Sequence, residues 1–141
     1  MEEIIRKARV RAMTVRMGAA NARPQLSHGI YGMTLVPVWE LRKKSGCAYG
    51  MDKYGRIYYD PEVLLGLVPT QEGGEIEPIE AAIASLLHEV WHYLRKHPER
   101  MEAIAVRGLR LIPIKANIAM DAEINCSDPY LRTHLPDGCV W

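Results

Sequence analysis

The sequence predicts an α+β fold in which several helices pack with a small mixed or antiparallel sheet. Two observations lead to this prediction. Long stretches carry apolar residues at every third or fourth position, and short runs rich in β-branched and aromatic residues lie between them, bounded by turn residues. The 141 residues are 48% hydrophobic, which is enough for one buried core without disulfide bonds. We therefore expect a single domain over residues 1–141.

Residues 2–20 are predicted to form a helix that packs by one face. Apolar side chains recur along it at helical steps, and basic side chains occupy its other faces. The apolar residues of this face are Ile4, Ile5, Ala8, Ala12 and Val15. The pattern is typical of a surface helix with a basic exterior.

The basic residues are concentrated near the start of the chain. Residues 1–45 carry a net charge of +6, whereas residues 46–141 carry −5. A nucleic-acid-binding function would use the basic side chains of the first helix, which are Arg6, Lys7, Arg9, Arg11 and Arg16. The whole chain has a net charge of only +1 and no aromatic residue lies among these bases, so the sequence disfavours nucleic acid as a partner.

Three short strands are predicted after the first helix, over residues 33–41, 47–51 and 56–59. Pro37 places the first of them at a sheet edge or a bulge, because proline has no N–H to donate to a neighbouring strand. Asp60-Pro61 then ends the third strand and begins a short helix through Leu67.

A polar stretch over residues 68–78 contains Gly73-Gly74 and is predicted to be a mobile loop. A strongly amphipathic helix follows the loop and is expected to end at Pro98. Its apolar stripe consists of Ile79, Ile83, Leu86, Leu87, Val90, Trp91 and Leu94. A last helix is predicted over residues 114–126.

Several classes of protein and site are excluded or disfavoured by composition. No stretch is long and apolar enough for a membrane span, and the charged beginning is unlike a signal peptide, so we expect a cytoplasmic protein without membrane contact. The three cysteines, Cys47, Cys126 and Cys139, are widely spaced and odd in number. They indicate neither a disulfide framework nor a cysteine-only zinc site.

The segment His88-Glu89-Val90-Trp91-His92 lies on the strongly amphipathic helix. Histidines four positions apart share one helical face at a separation of about 6 Å, so both imidazoles can bind one metal ion. Glu89 is offset from them and suits a general base that takes a proton from a zinc-activated water. This spacing predicts a Zn²⁺ site with His88 and His92 as ligands and Glu89 as the catalytic residue.

A catalytic zinc site needs a third protein ligand. The downstream candidates are His97, Glu99, Glu102, Asp121, Glu123, Asp128 and His134. The first three follow too closely to reach the same ion unless the helix breaks at once. Asn117, Asp121 and Asn125 form a polar line on an otherwise apolar helix, which is either a surface stripe or a buried line that needs partners. We predict Asp121 as the third ligand, with Asn117 and Asn125 orienting the ligands.

Four segments of the chain together resemble a known family. They are Tyr58–Glu62, Leu87–His92, Asn117–Asn125 and Leu135–Gly138. The chain resembles, over nearly its whole length, the metallopeptidase domain that precedes a von Willebrand A-like domain in bacterial and phage proteins. The resemblance implies a zincin-like α+β fold with an HExxH active-site helix and a following ligand-bearing helix, together with zinc and peptidase activity. We expect a partner protein in place of the von Willebrand A-like domain.

The predicted function is a zinc-dependent metallopeptidase that hydrolyses a peptide or protein substrate. Glu89 would take the proton from the attacking water and return it to the leaving amine. The candidates for stabilising the oxyanion are Tyr93, His97, Tyr130 and His134. The strand near residues 48–51 could bind an extended peptide or simply pair within the sheet.

Two other functions remain open at this point. One is a catalytically silent, zincin-like zinc-binding protein with a structural or partner-binding role in a phage or bacterial assembly. The other is a nucleic-acid-associated protease. Glu89 favours catalysis over the silent alternative, because the geometry gives it no role as a zinc ligand.

Overall fold

The computed structural model describes residues 1–106 and 113–135. Within these ranges the chain forms eight α-helices, a short 3₁₀ helix at Pro24–Leu26 and three strands. The helices are α1 (Glu2–Ala22), α2 (Ser27–Gly32), α3 (Leu41–Ser45), α4 (Pro61–Leu64), α5 (Ile79–Leu94), α6 (His97–Val106), α7 (Pro113–Ser127) and α8 (Pro129–His134). The strands are β1 (Thr34–Pro37), β2 (Tyr49–Met51) and β3 (Arg56–Tyr59). The predicted α+β class with a small mixed sheet is confirmed.

Helix α1 packs by the face that its periodicity predicts. Its buried residues are Ala8, Ala12, Val15, Ala19 and Ala20, so small side chains dominate this face. A Cβ on Gly18 would lie 2.4 Å from Cδ1 of Ile83, which shows how closely α1 approaches α5. Some of the basic exterior is used within the chain, since Arg16 donates to the carbonyl oxygen of Met33 at 2.7 Å.

The sheet has the strand order β1-β3-β2. Strand β1 is parallel to β3 and β2 is antiparallel to it, so the sheet is mixed. Pro37 lies on an edge strand, as its missing N–H predicts. Strand β1 is shorter than predicted, because the chain turns at Glu40, which has a φ of 57°.

Strand β2 forms the other edge of the sheet. Asp60 N donates to Ala48 O at 2.8 Å, and Asp52 N donates to Arg56 O at 3.1 Å. Backbone groups of an antiparallel strand alternate between the two sides, so Tyr49 and Met51 direct their N–H and C=O groups away from β3. Strand β2 therefore presents backbone donors and acceptors on its outer edge.

Helix α5 lies at the centre of the core. Its residues Ala84, Leu87 and Val90 have no exposed surface, and they pack with residues of α1, the sheet, α7 and α8. Leu94, which the apolar stripe places on the same face, is 42% exposed because the helix ends there. Because one face of α5 is buried in the core, the opposite face of the helix must point away from the core.

One buried carboxylate connects three helices. Asp128, 3% exposed, accepts hydrogen bonds from the Arg23 guanidinium at the end of α1 and from Nε1 of Trp91 in α5 at 3.0 Å. It also caps α8 by accepting from Tyr130 N at 2.9 Å. Trp91, which lies between His88 and His92 in the sequence, thus acts both as a hydrogen-bond donor and as an apolar packing group.

Residues 65–78 contain no helix or strand. The helix predicted to run through Leu67 ends at Leu64, because Gly66 adopts a φ of 72°. Asp60 caps this helix, as the Asp-Pro pair predicts, by accepting from Glu62 N at 3.0 Å. Among the described helices, none combines the length and apolar character that crossing a bilayer requires.

Candidate metal centre

Three side chains that the sequence predicts as metal ligands lie together between α5 and α7. His88 and His92 project from one face of α5, and Asp121 projects from α7. The Oδ1 atom of Asp121 lies 2.9 Å from Nε2 of His92 and 3.3 Å from Nε2 of His88. The two Nε2 atoms are 2.9 Å apart. Across the described residues, this is the one group of three whose ligand atoms lie within 4.8 Å of one another.

The dimensions of this triangle suit a small tetrahedral ion. Zinc bonds of 2.0–2.2 Å in tetrahedral geometry place the ligand atoms about 3.3 Å apart. The observed distances are 2.9, 2.9 and 3.3 Å, so a small adjustment accommodates such an ion. Two imidazole nitrogens and one carboxylate oxygen are also ligands of the type that zinc and other divalent transition metals bind. The donor set therefore fits a metal ion.

Asn125 contacts the first histidine of this group. Its Oδ1 atom lies 2.7 Å from Nδ1 of His88, and the residue is 2% exposed. An amide oxygen can only accept, so Nδ1 of His88 carries a proton, and Nε2 is the nitrogen that would bind a metal once it has released its own proton. Asn125 thus occupies the orienting position that the polar line of α7 suggests. The side chain of Asn117, predicted for the same role, lies outside the described residues.

The chain reverses direction immediately after α5. Lys96 adopts a φ of 54°, and the next helix begins at His97. The expectation that the helix continues to Pro98 is wrong, because Pro98 occupies the first turn of α6, where proline is tolerated. The break brings His97 back to His92, with the two Nδ1 atoms 2.9 Å apart.

Glu89 is buried beside the histidines, with 9% of its surface exposed. Burial raises the pKa of this carboxyl, and the nearby His88 and His92 partly oppose the increase. A raised pKa brings a carboxylate closer to the range in which it can accept and release protons near neutral pH. Glu89 thus has the environment of a general base.

Asp121 and His88 interact as an ion pair would. Burial alone would raise the pKa of Asp121, but hydrogen bonds and charges from His88 and His92 hold it well below its usual range. For His88, burial opposes the charged form, yet contacts with Asp121, Glu89 and Asn125 raise its pKa overall. Asp121 therefore remains an anion, which is the form that binds a metal.

An open cleft of about 450 Å³ leads to this group. The metal-binding candidates and Glu89 line one part of it, and β2 lines another through Tyr49, Gly50 and Met51. Met101 and Met120 add apolar surface from α6 and α7. These methionines could not be assigned to the site from the sequence, because only the folded chain brings three separate elements to one cleft.

The four oxyanion candidates lie in different places. His97 lines the cleft, but it is 2% exposed and contacts His92. The ring of Tyr93 lies 3.5 Å from the position of a Cβ on Gly55, in the turn between β2 and β3. Tyr130 and His134 stack on each other in α8, with centroids 4.1 Å apart. The latter three do not line the cleft in the described part of the chain.

Most other candidates for a third ligand have different partners. Glu102 pairs with Lys53 at 3.0 Å, and Glu123 pairs with Arg95. Asp128 pairs with Arg23, and Nδ1 of His134 lies 2.9 Å from the carbonyl oxygen of Tyr130. These engagements leave Asp121 as the carboxylate that faces both histidines.

Comparison with known protein families gives a match over most of the chain. Neither the curated proteins nor the solved structures yield a significant match to the chain. A family model described as "Putative metallopeptidase domain" matches residues 13–139, which include α5, α7 and every residue of the candidate metal centre. Because that match covers nearly the whole chain, the protein belongs to this metallopeptidase-domain family, and the resemblance found in its motifs is confirmed.

Proposed function

We propose that this protein is a zinc-dependent metallopeptidase with a zincin-like active site. The observation that carries the proposal is the convergence of His88, His92 and Asp121 beside the buried Glu89 in an open cleft. Membership of a metallopeptidase-domain family supports the same reaction class. The proposed ligands are the two histidines and Asp121.

Zinc bound by these residues would act as a Lewis acid that polarises the scissile carbonyl and makes a water molecule more acidic. Asp121 adds a negative charge to the donor set, which makes the ion less electron-withdrawing than three neutral histidines would. Proton removal from the attacking water consequently depends more on Glu89. The carboxylate of Glu89 accepts that proton and delivers it to the nitrogen of the leaving amine.

Strand β2 is the proposed binding edge for the peptide substrate. The outward N–H and C=O groups of Tyr49 and Met51 can pair with an extended backbone, as in other cases of strand addition. The same strand lines the cleft that contains the metal-binding candidates. An added strand would therefore lie beside the group that performs the hydrolysis, while Met51, Met101 and Met120 offer apolar contacts to its side chains.

The proposal is tested by metal analysis and peptide cleavage on the same preparations. The wild type should contain about one equivalent of zinc and cleave a mixed peptide library, as measured by mass spectrometry of the products. Glu89→Gln should keep the zinc and lose cleavage by about 10³-fold, because the amide cannot accept the proton. Equal cleavage by this variant would overturn the role of Glu89, and a zinc-loaded wild type that cleaves no peptide would leave the catalytically silent alternative.

A further inference from the structure

His97 is placed against a proposed metal ligand by an unusual backbone turn. Helix α5 ends at Leu94, and Lys96 then adopts a φ of 54°, a conformation that non-glycine residues rarely take. Arg100 N donates to Lys96 O at 2.9 Å, so α6 begins directly after the turn. The turn at Lys96 thus brings His97 back beside His92.

The contact between the two histidines is buried and specific. Their Nδ1 atoms are 2.9 Å apart, and their rings meet edge to face at an interplanar angle of 70°. His97 is only 2% exposed, although histidine side chains usually retain some contact with water. A polar ring that is buried in this way is expected to have a hydrogen-bond partner.

The direction of this hydrogen bond follows from the metal site. Nε2 of His92 faces His88 and Asp121, so a metal there requires the lone pair of Nε2. The proton of a neutral His92 must then be on Nδ1, where it is donated to Nδ1 of His97. His97 in turn must accept at Nδ1 and carry its own proton on Nε2.

The far side of His97 agrees with this assignment. Its Nε2 atom is buried, and none of the described residues forms a hydrogen bond with it. The carboxylate oxygen Oε2 of Glu123 lies 3.6 Å away, which is beyond a hydrogen bond but close enough for its negative charge to favour a proton on Nε2. Arg95 holds Glu123 through a second contact.

We propose that His97 is a positioning residue, which accepts the Nδ1–H of His92 and thereby fixes the tautomer that presents Nε2 to the metal. Glu123 favours the required tautomer of His97 from the opposite side. The inference rests on the metal site of the proposed function. It gives His97 a role different from oxyanion stabilisation, because His97 acts through His92 and not on the substrate.

A matched pair of variants separates the hydrogen bond from the packing. In His97→Asn, the amide oxygen can occupy the place of Nδ1 and still accept the proton from His92. In His97→Leu, a side chain of similar size to Asn has no acceptor. Zinc dissociation constants are measured by competition with a chromophoric chelator, with full-length protein and with circular dichroism to confirm folding.

The expected result is a loss of zinc affinity of about 10- to 100-fold in His97→Leu and recovery to within about threefold of wild type in His97→Asn. Equal affinities in the two variants would overturn the proposed hydrogen bond. A wild type that binds no zinc would overturn both the metal site and this inference. Zinc binding by the wild type with no separation between the variants would overturn only the role of His97.

A second measurement does not depend on the variants' folding. Nitrogen-15 NMR of histidine-labelled, zinc-loaded wild type reports which ring nitrogen carries each proton. The proposal requires protonated Nδ1 in His92 and protonated Nε2 in His97. A proton on Nδ1 of His97 would contradict it.

Discussion

Nδ1 of His88 lies 2.7 Å from Oδ1 of Asn125, so the first histidine of the candidate site is oriented from the helix that also carries Asp121. The ligand and its orienting residue are four positions apart on α7 and therefore share one helical face. A single helix thus supplies both a proposed ligand and the partner of another ligand.

Replacement of Asn125 should weaken metal binding without removing a ligand. We expect Asn125→Leu to reduce zinc affinity by about 10- to 100-fold, because Nδ1 of His88 loses its acceptor. Asn125→Asp keeps an acceptor oxygen and should bind zinc at least as tightly as wild type. Calorimetric titration with zinc measures both constants, and equal losses in the two variants would contradict the proposed orientation.

Removal of Asp121 should have a larger effect on zinc binding than removal of a carboxylate outside the ligand group. We expect Asp121→Ala to lose zinc by at least about 100-fold in affinity, since the ion would retain only two protein ligands. His92→Ala should behave in the same way. Glu62→Gln is a suitable control, because this residue lies on α4 and is not part of the ligand group. Unchanged zinc content in Asp121→Ala, measured by elemental analysis, would exclude the site.

The N–H groups on the outer edge of β2 predict the effect of a proline substitution in this strand. Met51→Pro removes an N–H that faces away from β3, so the sheet keeps its hydrogen bonds while the proposed substrate edge loses a donor. We expect KM for peptide substrates to rise about tenfold with zinc content unchanged. Met51→Leu retains the N–H and serves as the control. A KM in Met51→Pro equal to that of Met51→Leu would argue against strand addition at this edge.

The buried contacts of Asp128 should contribute to folding stability. Asp128→Asn removes the charge that Arg23 and Trp91 contact, and we expect the free energy of unfolding at pH 7 to fall by about 2 kcal/mol. Glu3→Gln removes a carboxylate from an exposed pair with Arg6 and should leave the stability nearly unchanged. Urea denaturation of the three proteins gives the comparison, and equal midpoints would show that the Asp128 contacts add no stability.

The same carboxylate predicts a pH dependence. Burial opposes the charged form of Asp128, but Arg23, Trp91 and Tyr130 N outweigh it and lower its pKa below the ordinary 3.8. The stabilisation is therefore complete above the unfolded-state pKa and is lost as the pH falls through the lower folded-state pKa. The stability difference between wild type and Asp128→Asn should be constant from pH 7 to about pH 5 and shrink below pH 4. A difference that grows on acidification would have the wrong sign.

The long elements could be predicted from sequence because their patterns repeat over several turns. Helix α5 buries Leu87 and Val90 and directs His88 and His92 to the opposite side, as a helical period requires. The placement of Asp121 followed from a polar line on α7, which spans four turns. Helices α2, α3 and α8 have only five or six residues, too few for a period to be visible.

The contacts of His97 could not be predicted, because they depend on the conformation of a single residue. A lysine with a positive φ gives no signal in its own identity, and Lys96 adopts it only within the folded chain. Pro98 offered a partial signal, since proline is favoured in the first turn of a helix as well as after the last. The parallel pairing of β1 with β3 likewise joins strands with two other elements between them in sequence, so local patterns do not specify it.

The contacts of Asp128 also affect how tightly a metal ion would bind. Asp128 begins α8 directly after α7 and holds Trp91 of α5, so it fixes the spacing between the helix with the histidines and the helix with Asp121. The three proposed ligands are consequently preorganised by the contacts of Asp128 with Trp91 and Arg23. Little conformational entropy would be lost when the ion binds, and residues that never touch it would help to set its affinity.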